Sequence, residues 1–278
     1  NFRTWGSLTP GHPEYGPTAG VETTTGPLGQ GVANGVGMAM AARYERGLFD
    51  PENSGVSPFD HNIWVICSDG DLQEGVSAEA SSLAGVQKLG NLKVIYDDNR
   101  ISIEGDTHLT FSEDVSMRYK SYGWHVIEVA TMSNGDVDRD ALEKAMDAAV
   151  SEEDKPTLIR LKTVIAWPAP ALQNTAKSHG SALGAEEVAA TKKVLGLDPE
   201  VDFYFPSEVE SHVRGKAVKY LLGEATKMQA RWVRAGHDPA IFYDPGTDSF
   251  EELGGSGIAL GVDEEWNYKE YTKTDLIK

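Results

Sequence analysis

Between Asn62 and Val164 the chain alternates short apolar runs with segments of helical spacing. Asn62 to Cys67 is β-branched and aromatic and runs into the polar cluster Ser68-Asp69-Gly70-Asp71, which predicts a strand followed by a turn. Helical spacing follows from Glu74 to Leu89, then a second strand from Leu92 to Tyr96, closed by a polar turn at Asp97-Asp98-Asn99-Arg100. The alternation continues with strands at Trp124 to Val129 and Thr157 to Val164, separated by a helix at Asp138 to Val150. Strands separated by helices predict an α/β fold, a parallel sheet flanked by helices on both faces. Ligands of such sheets sit beyond the carboxyl ends of the strands, where Asp69 and Asn99 both fall.

The flanks read differently. Residues 1–30 are rich in Gly, Pro and Thr and predict a long loop, a feature that is usually functional in a compact domain. Val32 to Leu48 has helical spacing, and its small residues Gly35 and Gly37 suggest close packing against another backbone. Trp167 to Ala182 reads as loop, Ala185 to Leu195 as helix, and Glu208 to Ala235 as largely helical. After Gly236 no clean period is visible.

Composition changes this picture little, but it narrows the partners. Hydrophobic residues make up 40% and charged residues 24% of the 278, which is ordinary for a globular protein. A formal charge of −18 repels phosphate backbones and argues against nucleic-acid binding. An anionic cofactor stays compatible, because one metal ion and a few backbone N–H groups reverse the field locally. The single cysteine, Cys67, sits in an apolar run and reads as an inert buried thiol. No secretory leader opens the sequence and no stretch is apolar enough for a membrane span, so a soluble cytoplasmic protein is expected.

The chemistry gathers at the two strand ends. A carboxylate followed by Gly and a helix start suits a hard cation, and Gly70 lets the backbone approach a phosphate. Asn99, thirty residues on, can offer its side-chain oxygen to the same cation, with the carbonyl of Ile101 on the same side of the turn. With two diphosphate oxygens and a water, these three protein oxygens complete the octahedron Mg²⁺ prefers. The alternative is two ordinary polar turns, Asp and Asn being tolerant of tight geometry.

The surrounding motifs resemble the transketolase family, in its actinobacterial form. They are Thr9-Pro10-Gly11-His12-Pro13-Glu14, the Gly20–Gly31 stretch Gly-Val-Glu-Thr-Thr-Thr-Gly-Pro-Leu-Gly-Gln-Gly, the Asp69–Gly75 stretch Asp-Gly-Asp-Leu-Gln-Glu-Gly, and Tyr96-Asp97-Asp98-Asn99-Arg100-Ile101-Ser102-Ile103. Phe111-Ser112-Glu113-Asp114, Tyr122-Gly123-Trp124 and His179-Gly180-Ser181-Ala182-Leu183-Gly184 continue the series in register. The resemblance extends to about residue 213. It divides the chain into a diphosphate- and metal-binding domain at 1–213 and a divergent C-terminal helix with polar tail at 214–278.

The resemblance implies thiamine diphosphate as cofactor with Mg²⁺ or Ca²⁺, and transfer of a two-carbon ketol unit from a ketose phosphate to an aldose phosphate. By the same implication Asp69, Asn99 and the Ile101 carbonyl hold the metal, while Gly70 and His179 contact the diphosphate. Gly26 and Leu28 line the pocket for the cofactor's rings. His12 and His179 face the reacting groups. Glu74 and Glu79 join an acidic cluster at a subunit interface, Glu74 close enough to belong to the catalytic and cofactor-binding set.

Three departures, and one smaller change, qualify the implication. The family's upstream histidine-bearing segment and its pyrimidine-binding domain, with the activating glutamate, have no counterpart in these residues. Gly254-Gly255-Ser256-Gly257 and Asp263-Glu264-Glu265 replace the expected linker. Ser68 stands where many relatives carry Gly. A partner chain bringing the pyrimidine domain, in a dimer of heterodimers, or a fragment of a longer enzyme, is the expectation. The competing readings are a 2-oxoacid dehydrogenase-like subunit and a non-catalytic cofactor-binding module.

Overall fold

The computed structural model describes residues 2–52, 57 and 59–222, together with strands at 230–233, 240–244, 249–253 and 270–273; beyond residue 215 only the backbone is described. The chain divides into two compact units, Asn1–Glu200 and Val201–Lys278.

In the first unit a loop leads to α1 (Gln30–Phe49), then β1 (Ile63–Ser68), α2 (Asp69–Gln73), α3 (Gly75–Val86) and β2 (Leu92–Asp98). A small hairpin of β3 (Ile101–Ser102) and β4 (Gly105–Asp106) precedes α4 (Val115–Ser121), β5 (His125–Val129), α5 (Arg139–Ser151), β6 (Thr157–Lys162) and α6 (Ala185–Val194). Strands β1, β2, β6 and β5 form one sheet in that order, every pair parallel.

Side chains on a strand alternate between faces, and the core follows that period. Leu92, Val94, Tyr96 and Leu158 point to one face, where Val32, Val36 and Ala39 of α1, Ala84 of α3 and Tyr119 of α4 cover them. Ile95, Ile127, Val129, Ile159 and Leu161 point to the other, where Ala145 and Ala149 of α5 close the layer. Helices thus lie on both faces of the sheet, as the alternation of elements predicts, but edge strand β1 keeps Trp64 and Ile66 exposed on the face away from α1.

Close approach explains one of the two helix glycines. A Cβ on Gly35 would lie 2.3 Å from the Val65 side chain, so α1 rests directly on β1 at that point. Gly37 has no such neighbour, and the expectation of close packing does not hold there.

Strand β2 runs two residues past its predicted end, to Asp98. Two aspartates read as a turn because a charge inside a sheet is costly without a partner. Here Asp97 pairs in register with Ser68 and Leu161 and accepts a hydrogen bond from the Thr163 hydroxyl, and Asp98 meets Arg160. The turn predicted at Ser68–Asp71 is a helical turn instead, α2. Helix α4 escapes the apolar pattern, being seven residues long; Asp114 caps it, accepting the Met117 N–H at 3.1 Å.

Among the described residues the second unit contains α7 (Ser207–Leu222) and four strands, β7 (Ala230–Val233), β8 (Ala240–Asp244), β9 (Ser249–Leu253) and β10 (Glu270–Lys273). The helix expected to reach Ala235 gives way to strand at 230–233, because Ala230–Val233 pairs antiparallel with Glu270–Lys273. Residues 254–257 and 263–265, expected as a divergent tail, lie outside the described residues. Among the described residues no helix is long and apolar enough to cross a membrane.

Candidate functional site

The carboxyl ends of β1 and β2 are adjacent in the sheet, and the polar segments leaving them meet. Asp69, the first residue after β1, is 3% exposed. Its carboxylate is held from two sides: the Tyr96 hydroxyl donates to Oδ1 at 2.7 Å and the Arg100 amide N–H donates to Oδ2 at 3.1 Å. Burial lifts the Asp69 carboxyl above its ordinary value; these two hydrogen bonds oppose the lift, and the neighbouring Asp98 and Asp97 add to it.

Asn99 lies next to the point where Asp69 touches the loop. Its Oδ1 accepts the Ile101 N–H at 3.0 Å and its Nδ2 donates to Asp97 at 3.2 Å. Between Asn99 and Ile101, Arg100 takes a left-handed backbone conformation with φ of 61°. Such a conformation is sparsely populated for a residue with a side chain, and its neighbours must hold it. Here the Arg100 N–H is fixed by Asp69 and its carbonyl accepts the Thr107 N–H at 3.0 Å.

The long N-terminal loop folds over α2. Leu28 covers Gly70 so closely that a Cβ on Gly70 would come within 3.1 Å of the leucine side chain. The His12 ring lies against Gly26, where a Cβ would sit 2.6 Å from the imidazole and the backbone φ is 153°. Gly29 N–H donates to Asp71 Oδ1 at 2.9 Å, and the second oxygen of Asp71 accepts the Ser68 N–H at 3.0 Å. Ser77 also donates to the Asp71 carbonyl, at 2.5 Å. Asp71 is therefore the clamp that fastens the loop to the strand end.

Glu74, the extended residue immediately before α3, is exposed, with its Cβ within 2.8 Å of where a side chain on Gly29 would start. Glu79 is exposed on the same helix. His179 follows a 3₁₀ turn at Ala176–Ser178, and its Nδ1 is buried without a hydrogen-bond partner among the described residues. The contacts thus bring together His12 with Gly26, Leu28 with Gly70, and Asp69 with the Asn99–Ile101 loop. Among the described residues none of these hydrogen bonds reaches His179. Cys67 is buried and free, and burial followed by the charges of Asp71, Asp97 and Asp69 pushes its thiol up, away from reactivity.

A cleft of about 380 Å³ runs between the loop, α1 and β1, lined by Thr25, Gly26, Leu28, Asn34, Cys67 and Asp71 among others. Among the described residues no three His, Cys, Asp or Glu side chains are placed to hold a metal. A cation at Asp69 would thus draw on one carboxylate and neutral oxygens, a donor set suited to a hard ion that keeps ligands from elsewhere. The chemistry of Asp69 fits such an ion, since it is a desolvated carboxylate docked on the Arg100 amide, next in sequence to Asn99 and Ile101.

Sequence reasoning passed over Tyr96, Asp98 and Arg160. Asp98, its side chain 1% exposed, receives Arg160 Nε at 2.7 Å and Arg100 Nε at 3.3 Å. The available signal was an arginine inside the apolar strand Thr157–Lys162, since a buried guanidinium needs a carboxylate.

The sequence matches the family described as "Transketolase, thiamine diphosphate binding domain" over residues 1–238. It is 56% identical over 233 residues to the transketolase of Mycobacterium leprae, covering 84% of this chain and 32% of that protein. The transketolase of Mycobacterium tuberculosis is 54% identical over 233 residues, with the same coverage of 84% and 32%. Among solved structures, a Pichia stipitis transketolase complexed with sedoheptulose-7-phosphate is similar, with a TM-score of 0.73, 43% identity and coverage of 80% of this chain and 33% of that one. The Leishmania mexicana transketolase gives a TM-score of 0.71 at 42% identity, covering 81% and 34%. The chain spans about a third of the length of the relatives it matches.

Proposed function

The chain belongs to the transketolase family, matching its thiamine diphosphate-binding domain, and on that premise we propose that it serves ketol transfer from a ketose phosphate to an aldose phosphate. The observation that carries the reading is the buried Asp69 carboxylate docked on the Arg100 amide beside Asn99. In this reading Asp69, Asn99 and the Ile101 carbonyl hold a divalent metal, Mg²⁺ or Ca²⁺. Gly70 lies against the diphosphate, and the unpaired Nδ1 of His179 supports a role there as well.

When bound, thiamine diphosphate supplies the carbanion-stabilising chemistry. The chain's own residues anchor and orient. Gly26 and Leu28 wall the ring pocket, the Leu28 side chain lying against Gly70. His12, resting on Gly26, faces the hydroxyls of the sugar. Glu74, just before α3, and Glu79 on it are both exposed and form the acidic cluster of a subunit contact.

The rest of the active site, including the pyrimidine-binding domain, comes from polypeptide outside these 278 residues, in the same chain or in a partner within a dimer of heterodimers. What supports this is the share of its relatives that the chain spans, about a third. We assign the activity to the cytoplasm. The test is a ketol-transfer assay with thiamine diphosphate and Mg²⁺. No transfer is expected from the 278 residues alone, and transfer is expected once a pyrimidine-binding domain is supplied. Transfer without it, or none with it, contradicts the reading.

A further inference from the structure

Behind the Asp69 carboxylate lies a buried polar chain that the anchoring roles do not use. Tyr96, 2% exposed, stands on β2 with its hydroxyl 2.7 Å from Asp69 Oδ1 and 3.4 Å from Asp98 Oδ1. Asp98 follows two residues later on the same face of the strand. Arg160, in register with Tyr96 on the neighbouring strand, donates to Asp98 Oδ2 at 2.7 Å and to Ser116 Oγ at 3.2 Å. A small polar cavity of about 200 Å³ adjoins these groups.

The proton inventory decides the direction. A tyrosine hydroxyl has one proton to donate. Asp98 is already satisfied by two guanidinium groups, from Arg160 and Arg100, and its contact with the hydroxyl is the longer one. The proton therefore goes to Asp69. With Tyr96 on one oxygen and the Arg100 N–H on the other, the carboxylate plane is fixed and each oxygen keeps a lone pair. Stability alone is a weak explanation for so much buried charge, since well-packed apolar residues commonly replace a buried ion pair without loss.

We propose that Tyr96, braced by the Asp98–Arg160 pair, is a positioning residue that sets the Asp69 carboxylate in its metal-binding orientation before the ion arrives. The proposal rests on the reading that Asp69 is a metal ligand. Partners of this kind behind a ligand typically change metal affinity about 10- to 100-fold when removed.

The test is calorimetric titration of the intact protein with Mn²⁺ in the presence of thiamine diphosphate, for the parent, Tyr96→Phe, Asp69→Asn and the double variant. Tyr96→Phe is expected to raise the Mn²⁺ Kd about 10-fold or more, while the metal-free protein keeps its fold by circular dichroism. In the Asp69→Asn background the same change is expected to do nothing further, because the hydroxyl acts through Asp69. A Kd within about twofold of the parent, or an equal effect in both backgrounds, overturns the proposal. If Asp69→Asn itself leaves the Mn²⁺ Kd unchanged, the metal-site reading fails instead. Should Tyr96→Phe not fold, Arg160→Lys carries the test, since it keeps the charge and loses the planar contact to Asp98. A raised Kd that vanishes in the Asp69→Asn background then supports the proposal, and an unchanged one overturns it.

Discussion

The Asp71 carboxylate accepts the Gly29 amide N–H at 2.9 Å across 42 positions of sequence, while its other oxygen accepts the Ser68 N–H at 3.0 Å. One side chain thereby ties the N-terminal loop, the start of α1 and the end of β1 into a single unit. Asp71→Ala leaves two amides without this acceptor, and the expected loss is about 1–3 kcal/mol in urea unfolding. Asp71→Asn, which keeps one acceptor oxygen, is expected to lose less.

Gly29 itself has no room for a side chain. Its φ is 79°, and a Cβ would lie 2.8 Å from both Glu74 Cβ and Ser77 Oγ. Gly29→Ala is expected to cost about 1–3 kcal/mol from the left-handed backbone and the crowding together. Gly37→Ala, with open space around it, is expected to be neutral or mildly stabilising by the same measurement.

The Asp98–Arg160 pair is buried on both sides, with side chains 1% and 12% exposed. Arg160→Met leaves Asp98 with the longer Arg100 and Tyr96 contacts, so a loss toward the lower end of about 3–5 kcal/mol is expected in denaturant unfolding. Arg214→Met, which removes an exposed partner of Glu210, is expected to be silent in the same assay.

Lys93 gives a pH signature. It is fully buried on β2 and donates to the Glu152 carbonyl at 2.7 Å. Burial lowers its ammonium below the ordinary 10.5, opposed by Glu152 and Glu153. Between the folded value and 10.5 the unfolded chain binds a proton that the folded chain does not, so this group's contribution rises with pH through that window. It is fully present above 10.5 and lost as pH falls through the folded value. The stability of the parent relative to Lys93→Met should therefore increase from neutral toward alkaline pH, provided both remain folded. A flat difference would show that burial imposes no such cost.

Much of the sheet was legible because parallel strands covered on both faces read as apolar runs, as Leu92–Tyr96 and Thr157–Leu161 do; Ile63–Cys67 is as apolar, although as an edge strand it leaves Trp64 and Ile66 exposed. That the segments carrying Asp69 and Asn99 meet was legible for a related reason, since this topology puts strand ends and their turns at one edge. The remainder depends on distant partners. Asp98 reads as a turn residue until Arg160, 62 positions away, is seen to neutralise it. Asp71 reads as part of a motif, and its clamp on Gly29 is invisible without the fold. Strand Ala230–Val233 reads as helix because its partner, Glu270–Lys273, lies far along the chain.

In the proposed function, Asp69 and the Asn99–Ile101 loop bind the metal that anchors a diphosphate. The most direct measurement is calorimetric titration of the protein with thiamine diphosphate, with and without Mg²⁺, for the parent and for Asp69→Asn. Saturable binding that requires Mg²⁺ and weakens about 10-fold or more in Asp69→Asn is expected if Asp69 holds the metal. Binding that ignores Mg²⁺, or that Asp69→Asn leaves unchanged, contradicts it.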